Sequence, residues 1–552
     1  MEIIRGCPST MMDDYQLNVS TMIRHTVRNF PEREIVYRTP DGVFRYTYED
    51  AYQRMKRLAN ALKKLGVEPG DRVGVLDWNT RRQYELYYAV PGSGAVFLQL
   101  NIRLSSPDIA YVANHSGAKV IFVDESLLSL AETIASDLKT VKLYVVMTDK
   151  KLTDIETKLD PVLSYEDLLN EASAAYEWPV IEERSAYGAC YTSGTTGKPK
   201  GVYYSQRSIY IHTLMYTIYG EFDCYDCLLQ IVPMFHAQGW GHFQCATFVG
   251  AKLVLPGRYT MENIGDLVDL MIKEKVTVAN GAPTILIPML SYVRALPEKP
   301  DFQGLRFLCG ATEPPLFMMK GFKELTGADF VHIYGATEAS PLITKNILKP
   351  SLSNTLSEEE KWELKKKQGL PVPGIDLKIT DPEGKEVPHD GVSVGEIFVR
   401  GPWITGSYFN DERSKECFIN GYWKSADSGS MDTEGFLKIV DRSKDLIKSG
   451  GEWISSVDLE NAIMAHPGVV EASVVGIPHP KWEERPLALV MVSETSRGKI
   501  SEQEILEFIE PKFAKWQLPN QVVFVDEIPK TSVGKFNKVE IRERYKYHYT
   551  EK

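Results

Sequence analysis

One segment in the first half of the chain combines glycine, hydroxyl and lysine residues. Residues 191–202 read Tyr-Thr-Ser-Gly-Thr-Thr-Gly-Lys-Pro-Lys-Gly-Val. Backbone N–H groups, hydroxyl donors and ammonium groups gathered in one loop are what a polyphosphate needs. The loop is not a Walker A motif, because two residues rather than four separate Gly194 from Gly197, and because Pro199 stands where a magnesium-binding hydroxyl would follow Lys198. We therefore predict a phosphate-binding loop of another class.

The composition is that of an ordinary globular protein. Of the 552 residues, 43% are hydrophobic and 25% are charged, which excludes a disordered chain and a small disulfide-stapled scaffold. The net charge of −11 gives no reason to expect a nucleic-acid partner. Seven cysteines, an odd number, favour reduced thiols. Because neither a signal peptide nor a membrane-spanning stretch is recognisable, we expect a soluble, cytoplasmic protein.

Helical and strand patterns alternate along most of the chain. Apolar residues recur at helical spacing from Tyr48 to Leu65, and Arg72–Leu76 follows as a short buried strand. Further apolar strand cores follow at residues 119–123, 143–147, 253–255, 277–280 and 330–334. This alternation predicts α/β layers with largely parallel sheets. The charged stretch 351–367 is expected to form a solvated helix or a mobile excursion.

The pattern changes after Gly369. Turn signals at residues 381–384, 388–391 and 432–435 predict a small β-rich subdomain. The charged segment 441–445 precedes a last portion with two helical patterns and several strands, enough for an α+β domain. The predicted fold class is thus α/β plus α+β: a large N-terminal domain of layered sheets, residues 1–441, and a small mobile C-terminal domain, residues 442–552.

Four further motifs accompany the glycine-rich loop. They are Tyr-Gly-Ala-Thr-Glu at 334–338, Ser-Ala-Asp at 425–427, Asp-Arg-Ser-Lys at 441–444 and Pro-Lys-Thr-Ser-Val-Gly-Lys at 529–535. In this order they resemble the signature of the adenylate-forming superfamily, which comprises acyl-CoA synthetases, luciferases and peptide-synthetase adenylation domains. The resemblance runs from about residue 20 to the last residue. Residues 8–13, 401–406 and 447–456 look closest to bacterial and archaeal fatty-acid–CoA ligases.

The resemblance implies an AMP-forming carboxylic acid–CoA ligase. The acid and MgATP would give an acyl-adenylate and pyrophosphate, and the thiol of coenzyme A would then displace AMP. Lys535 would stabilise the charge that builds when the carboxylate attacks the α-phosphate. The C-terminal domain would pivot about Lys444 between the two steps, bringing residues 449–451 to the pantetheine path.

Individual residues of the motifs take on roles through the same resemblance. Glu338 and Thr192 would hold Mg²⁺, for which oxygen ligands are usual. Thr337 would bond the α-phosphate, Tyr334 would lie against the adenine, and Asp427 would accept both ribose hydroxyls. The full set assigned to ATP and coenzyme A is Thr192, Ser193, Gly194, Thr195, Thr196, Gly197, Lys198, Lys200, Ala311, Thr312, Glu313, Tyr334, Gly335, Ala336, Thr337, Asp427, Arg442, Lys444, Lys448, Gly450, Gly451 and Trp453.

The acid itself is expected near a second group of residues. His236 would orient the carboxylate, and Trp240 and Gly310 would border the acyl tunnel, with Trp240 as its gate. Many fatty-acid ligases have small apolar residues where this chain has Thr312 and Glu313, so the length and polarity of the acyl group stay open. The candidates are medium or long acyl chains, short or hydroxylated acids, and aryl acids.

Other interpretations of the motifs remain. The acceptor could be a carrier-protein thiol, or oxygen as in luciferase, and the fold could serve a non-catalytic nucleotide-binding regulator. Retention of Lys535, Glu338, Asp427 and the glycine-rich loop argues against the regulator. Ala426 is a departure, because the family usually has glycine before the aspartate. Resemblance at residues 8–13 predicts a homodimer.

Overall fold

The structure, a computed structural model, describes residues 4, 6–12, 14–192, 198–442, 445–449, 452–531 and 535–549. Within these ranges all seven cysteines are free thiols. None of the described helices combines the length and the apolar character needed to cross a membrane.

Helices are distributed along the whole chain. They are α1 Val19–Asn29, α2 Tyr48–Lys64, α3 Arg81–Gly92, α4 Ser106–Ser116, α5 Leu128–Ala135, α6 Tyr165–Asn170, α7 Gln206–Tyr219, α8 His242–Val249, α9 Gly265–Glu274, α10 Pro283–Ala295, α11 Leu316–Thr326, α12 Pro350–Ser353, α13 Glu358–Lys366, α14 Ser414–Cys417, α15 Ser456–Met464, α16 Glu502–Ile509 and α17 Lys538–Tyr545.

Strands alternate with these helices. They are β1 Glu34–Thr39, β2 Gly42–Thr47, β3 Arg72–Leu76, β4 Val96–Gln99, β5 Ala118–Asp124, β6 Leu143–Met147, β7 Val162–Ser164, β8 Ala186–Tyr191, β9 Gly201–Ser205, β10 Cys227–Leu229, β11 Lys252–Leu255, β12 Val278–Gly281, β13 Arg306–Cys309, β14 Asp329–Gly335, β15 Leu342–Lys345, β16 Leu370–Pro371, β17 Asp376–Thr380, β18 Gly395–Arg400, β19 Phe418–Ile419, β20 Tyr422–Met431, β21 Leu437–Arg442, β22 Ile447–Ser449, β23 Glu452–Ile454, β24 Val469–His479, β25 Glu483–Val492 and β26 Gln521–Phe524.

Local sequence explains the predicted elements. Helix α2 begins at a capping box, in which Thr47 and Asp50 satisfy each other's backbone N–H groups, and it carries acidic residues at its start and lysines at its end. The charged stretch forms α12 and α13, and α13 is capped by Ser357 and Glu360. Only Leu364 of α13 is buried, so this helix is solvated as expected.

Two large sheets form the body of the protein. Among the described residues, one has the order β16-β15-β14-β13-β12-β10-β11-β1-β2 and the other the order β7-β6-β5-β3-β4-β8-β9. Neighbours from β14 to β1 are parallel, and the antiparallel pairs lie at the edges. The predicted α/β layers are confirmed. Loops that follow parallel strands at their carboxyl ends meet at one edge, where ligands usually bind.

Apolar side chains between the two sheets fix their spacing. Tyr87 of α3 stacks on Phe97 of β4 at 4.0 Å and contacts Phe243 of α8 at 4.7 Å, between ring centroids. The same buried cluster includes Leu253 and Leu308 of the other sheet. Because interiors pack as densely as organic crystals, the two sheets hold the loops at their edges in fixed positions.

Two smaller sheets complete the fold. The subdomain sheet has the order β17-β18-β20-β19 with β21 on β20, and the C-terminal sheet has the order β23-β22-β25-β24 with β26 on β25. The C-terminal portion buries an apolar core of its own beneath α15 and α16. The subdomain sheet ends at Arg442 and the next sheet begins at Ile447. The predicted division at 441 and 442 therefore falls at the last strand of the subdomain.

Candidate active site

The glycine-rich loop connects the antiparallel strands β8 and β9. At its base the backbone N–H of Thr192 donates to the Lys200 carbonyl at 3.0 Å, and the Lys200 N–H donates to Thr192 Oγ1 at 3.3 Å. A Cβ at Gly201 would lie 2.8 Å from the Tyr191 ring, so a larger residue there would displace that ring. Residues 193–197 lie outside the described residues, and the hairpin fixes the two ends of the predicted phosphate loop.

Glu338 lies close to this base through a tyrosine. It belongs to the short turn Thr337–Ala339 directly after β14, and its side chain is buried. The Tyr408 hydroxyl donates to Glu338 Oε1 at 2.6 Å and accepts from Lys200 Nζ at 3.0 Å. Burial raises the pKa of Glu338, whereas the hydrogen bond from Tyr408 and the charge of Lys200 lower it. A buried carboxylate thus stands beside the phosphate loop.

Tyr334 and Asp427 form a second pair. The Tyr334 hydroxyl donates to Asp427 Oδ2 at 2.6 Å, and the Asp427 N–H donates to Ser425 Oγ at 3.1 Å. Ala426 lies between these residues with a φ of +62°, in the left-handed region that favours glycine. Ala426, where the family usually has glycine, therefore adopts a backbone conformation that glycine would adopt readily. Asp427 still forms its hydrogen bond with Tyr334.

His236 lies in the loop after β10. Burial, followed by the positive charges of Lys535 and Arg103, lowers the pKa of His236 to about 3. The imidazole is partly accessible and neutral at pH 7, so it offers one N–H donor and one acceptor. Lys535 is held by a loop that closes where the Thr531 N–H donates to the Lys535 carbonyl at 2.6 Å.

The residues after His236 turn in an unusual direction. Five consecutive φ angles are positive: 38° at Ala237, 53° at Gln238, 56° at Gly239, 64° at Trp240 and 80° at Gly241. Such a conformation costs about 1–2 kcal/mol for each residue with a side chain. Buried amides support it, since Gln230 Nε2 donates to the Gly239 carbonyl at 3.0 Å and the Gln238 N–H donates to Gln99 Oε1 at 3.3 Å.

This turn brings Trp240 to Gly310. A Cβ at Gly310 would lie 3.6 Å from Trp240 Cη2 and 2.7 Å from the Ile333 carbonyl oxygen. The strand-end residue Gly310 thus allows the indole and the neighbouring strand to approach closely. Two predicted acyl-site residues are therefore neighbours in space, and backbone strain of this kind is common at functional sites.

Glu313 points to the C-terminal portion of the chain. Its buried carboxyl accepts a hydrogen bond from Asn461 Nδ2 of α15 at 2.9 Å. Burial raises the pKa of Glu313 to about 7. Ala311, with a φ of +74°, and Thr312 are exposed before it. The described contact of Glu313 is thus one with α15 of the C-terminal portion, and its assignment to the nucleotide stays a prediction.

The remaining predicted residues are placed as follows. Lys198 Nζ lies 4.7 Å from the centre of the Tyr111 ring, and Lys448 forms an ion pair with Glu483 at 3.3 Å within the C-terminal portion. A Cβ at Gly335 would lie 2.3 Å from the Pro341 carbonyl oxygen.

Two further residues lie in or beside the turn that carries Glu338. The Ala336 N–H donates to the same carbonyl of Pro341, and the Thr337 carbonyl accepts from the Tyr204 hydroxyl at 2.8 Å.

Several predicted residues lie outside the described part. They are Ser193, Gly194, Thr195, Thr196, Gly197, Lys444, Gly450 and Gly451, together with the side chains of Arg442 and Trp453.

Sequence reasoning missed three residues of this site. Tyr408 follows the segment 401–406, but its contact with Glu338 exists only because the subdomain folds back on β9. Arg103 and Asn461 likewise come from loops and helices distant in sequence from their partners. No spacing signal could have identified them, because the contacts depend on tertiary structure.

Two side chains of the site supply oxygen atoms that can bind a cation. Thr192 supplies a hydroxyl and Glu338 a carboxylate, and the chain Thr192–Lys200–Tyr408–Glu338 of hydrogen bonds keeps them close. Hard oxygen ligands of this kind, few in number, suit Mg²⁺, which usually takes its other ligands from water and phosphate. The residues fit the ion.

Comparison with known proteins agrees with this geometry. The model of the family "AMP-binding enzyme" matches residues 23–409, and that of the "AMP-binding enzyme C-terminal domain" matches residues 458–535. A long-chain-fatty-acid–CoA ligase of Thermus thermophilus is 44% identical over 99% of both chains. A 3-methylmercaptopropionyl-CoA ligase of Ruegeria lacuscaerulensis is 40% identical over 96% of this chain and 97% of its own.

Solved structures share the whole architecture. ATP-bound MatB from Rhodopseudomonas palustris superposes with a TM-score of 0.81 at 26% identity, covering 97% of this chain and 100% of its own. The anthranilate–CoA ligase AuaEII, at 24% identity and a TM-score of 0.84, covers 97% and 99% and shares the fold. With matching motifs, full-length relatives and two family models, the chain belongs to the AMP-binding enzyme family, the adenylate-forming superfamily that its sequence resembles.

Proposed function

We propose that this chain is an AMP-forming acyl-CoA ligase that activates a fatty acid. The observation that carries the proposal is the full-length match to a long-chain-fatty-acid–CoA ligase, in a chain whose Lys200–Tyr408–Glu338 hydrogen bonds hold a buried carboxylate at the base of the phosphate loop. Full-length similarity to named CoA ligases supports coenzyme A, rather than a carrier protein or oxygen, as the acceptor.

ATP is proposed to bind beside the Tyr334–Asp427 pair and the Tyr408–Glu338 pair. Asp427 accepts hydrogen bonds from the ribose hydroxyls, and Tyr334 lies against the adenine with its hydroxyl held by Asp427. The glycine-rich loop and Lys200 bind the phosphates. Glu338 and Thr192 hold Mg²⁺, which neutralises phosphate charge when bound.

In the first step a carboxylate oxygen of the acid attacks the α-phosphorus of ATP, and the bond to pyrophosphate breaks. Neutral His236 orients the acid by donating a hydrogen bond to its other oxygen, which places no second positive charge on the acid. The Lys535 ammonium stabilises the negative charge that develops between carboxylate and phosphate. Loss of one such contact typically lowers the rate by about 10²–10³.

In the second step the coenzyme A thiol attacks the acyl carbon and AMP leaves. We propose that the domain of residues 442–552 pivots about Lys444 against residues 1–441, withdrawing Lys535 and bringing Ser449–Gly451 to the thiol. Arg442 contacts the ribose or a phosphate of the nucleotide, and Lys448 and Trp453 flank the nucleotide. Because the Glu313–Asn461 contact joins the two domains across the hinge, it would break in this motion.

The acid is proposed to be of medium or long chain. A medium-chain-fatty-acid–CoA ligase of Ectopseudomonas oleovorans is 37% identical over 96% of both chains, in addition to the long-chain relative. Trp240 beside Gly310 then borders the acyl tunnel. A short thioether acid is the second candidate, favoured by the 3-methylmercaptopropionyl-CoA ligase at 40% identity. A homodimer in the cytoplasm completes the proposal, and free thiols suit that reducing compartment.

An acid panel tests this function. Hexadecanoate, octanoate, 3-(methylthio)propionate and benzoate are each supplied with MgATP and coenzyme A, and pyrophosphate release and thioester formation are measured as kcat/KM. The proposal predicts the highest value for one of the two fatty acids. A higher value for the thioether acid would favour the second candidate. Pyrophosphate release without any thioester would refute coenzyme A as the acceptor.

A further inference from the structure

Tyr408 occupies a position that the proposed reaction does not yet explain. It is 4% exposed, and its hydroxyl contacts three polar groups: Glu338 Oε1 at 2.6 Å, Lys200 Nζ at 3.0 Å and Trp423 Nε1 at 3.4 Å. Two of these groups belong to residues assigned to the nucleotide and the cation. The hydroxyl therefore lies at the junction of the phosphate loop and the carboxylate.

The direction of each hydrogen bond is fixed by chemistry. A lysine ammonium and an indole N–H can only donate, so the Tyr408 oxygen must accept from Lys200 and Trp423. The single proton of the hydroxyl is then directed to Glu338. Charge-assisted hydrogen bonds of this kind are short and strong, in agreement with the 2.6 Å distance to Glu338.

The backbone around Tyr408 joins the same two parts of the site. The Thr405 N–H donates to the Glu338 carbonyl at 2.8 Å, and the Phe409 N–H donates to the Gly201 carbonyl at 2.9 Å. Phe409 also stacks on Tyr203 of β9, with 4.2 Å between ring centroids. Segment 405–409 thus bridges the strand that ends the glycine-rich loop and the turn that carries Glu338.

We propose that Tyr408 is a positioning residue for the Mg²⁺–ATP complex: it ties the base of the glycine-rich loop to Glu338 and sets the orientation of that carboxylate. The proposal rests on the proposed function, since it deepens the role of Glu338 in the same site. Tyr408 touches neither substrate nor reacting atoms in this assignment and acts through Glu338 and Lys200.

Tyr408→Phe is the test, because it removes the hydroxyl and keeps the ring that packs on Phe418 and under Lys200 Nζ. Equilibrium binding of ATP is measured by calorimetry with saturating Mg²⁺ and again with EDTA. We expect Tyr408→Phe to bind ATP about tenfold more weakly with Mg²⁺ and within about twofold of the wild type in EDTA. The Mg²⁺ concentration for half-maximal activity is expected to rise by a similar factor, with KM for MgATP raised more than kcat is lowered.

Tyr422→Phe is the matched control. It deletes the hydroxyl of another tyrosine in the same subdomain that donates to a carboxylate, that of the exposed Asp376. Its ATP binding is expected to equal that of the wild type under both conditions. An equal loss of ATP affinity in Tyr408→Phe with Mg²⁺ and in EDTA would show a merely structural role and overturn the proposal. Unchanged ATP affinity in Tyr408→Phe under both conditions would overturn it too. Failure of the wild type to form any thioester would refute the proposed function separately, since the binding comparison does not depend on turnover.

Discussion

Glu313 provides a prediction that can be worked out from the structure. Its carboxyl is 8% exposed and meets Asn461 of α15, on the other side of the proposed hinge. Burial raises the pKa of Glu313 from its ordinary 4.5 to about 7. The charges that face it are those of Lys366 and Glu363 of α13, Lys438 of β21 and Asp458 of α15. Changing Glu313 to glutamine keeps the oxygen that accepts from Asn461 and removes the ionisation.

The size and the sign of the pH effect follow from the linkage between the ionisation of Glu313 and the stability of its buried arrangement. A carboxyl whose pKa moves from 4.5 to about 7 on burial changes the stability of the buried arrangement by about 3 kcal/mol across the titration. The folded pKa is raised, so the contribution of neutral Glu313 is complete below pH 4.5 and is lost as the pH rises through 7. This value is an upper bound for the contact, because the proposed pivot of the C-terminal domain would let water reach the ionised carboxylate.

Hydrogen exchange of the amides of α15 measures the prediction. After correction for the intrinsic rates, we expect the protection of α15 in the wild type to fall by up to about tenfold between pH 6 and pH 8.5, since most of the linked change lies between pH 4.5 and 7. In Glu313→Gln it is expected to stay nearly constant. Glu412→Gln, at an exposed glutamate paired with Lys415, is the control and should follow the wild type.

Equal exchange in wild type and Glu313→Gln at pH 8.5 would refute this reasoning. It would mean that Glu313 is not buried by the domain contact when ionised, or that the contact contributes nothing to the arrangement of the domains.

Three further predictions address the backbone. Ala426→Gly should stabilise the protein to heat by up to about 1 kcal/mol with unchanged KM for ATP, because it relieves the φ of +62°; a loss of stability would contradict this. Gly241→Ala should lower the free energy of unfolding by at least about 2 kcal/mol, because its Cβ would lie 2.8 Å from His212 Cε1 and its φ is +80°. Gly304→Ala is the control: its φ is +87° but nothing lies within 4 Å of the added Cβ, so thermal unfolding should show a smaller loss. Lys444→Pro should slow thioester formation from supplied acyl-adenylate more than adenylate formation, and the opposite order would remove Lys444 as the hinge.

The quaternary state is tested separately. Because the resemblance at residues 8–13 predicts a homodimer, light scattering should give twice the 62.4 kDa chain mass. A monomeric mass would show that the homodimer is wrong.

Local patterns predicted much of the fold, because apolar strand cores and capped helices are encoded by neighbouring residues. Residues 330–334 and 143–147 do lie in strands, and α2 ends one residue before the predicted Leu65. The contact of Tyr408 with Glu338 and that of Glu313 with Asn461 could not be predicted, since each joins elements that only tertiary packing brings together. Likewise the positive φ angles of residues 237–241 are stabilised by Gln99 and Gln230, from other parts of the chain.

The role of Lys535 is tested most directly by separating the two half-reactions of one variant. Lys535→Ala is compared with Lys530→Ala, a neighbouring lysine that pairs with Glu471 at 2.6 Å. Acid-dependent exchange of pyrophosphate into ATP reports the first step, and thioester formation from supplied acyl-adenylate reports the second. We predict that Lys535→Ala lowers the first by about 10²–10³ and leaves the second largely intact, while Lys530→Ala changes neither. An equal loss of both steps in Lys535→Ala, or no loss of the first, would contradict the mechanism.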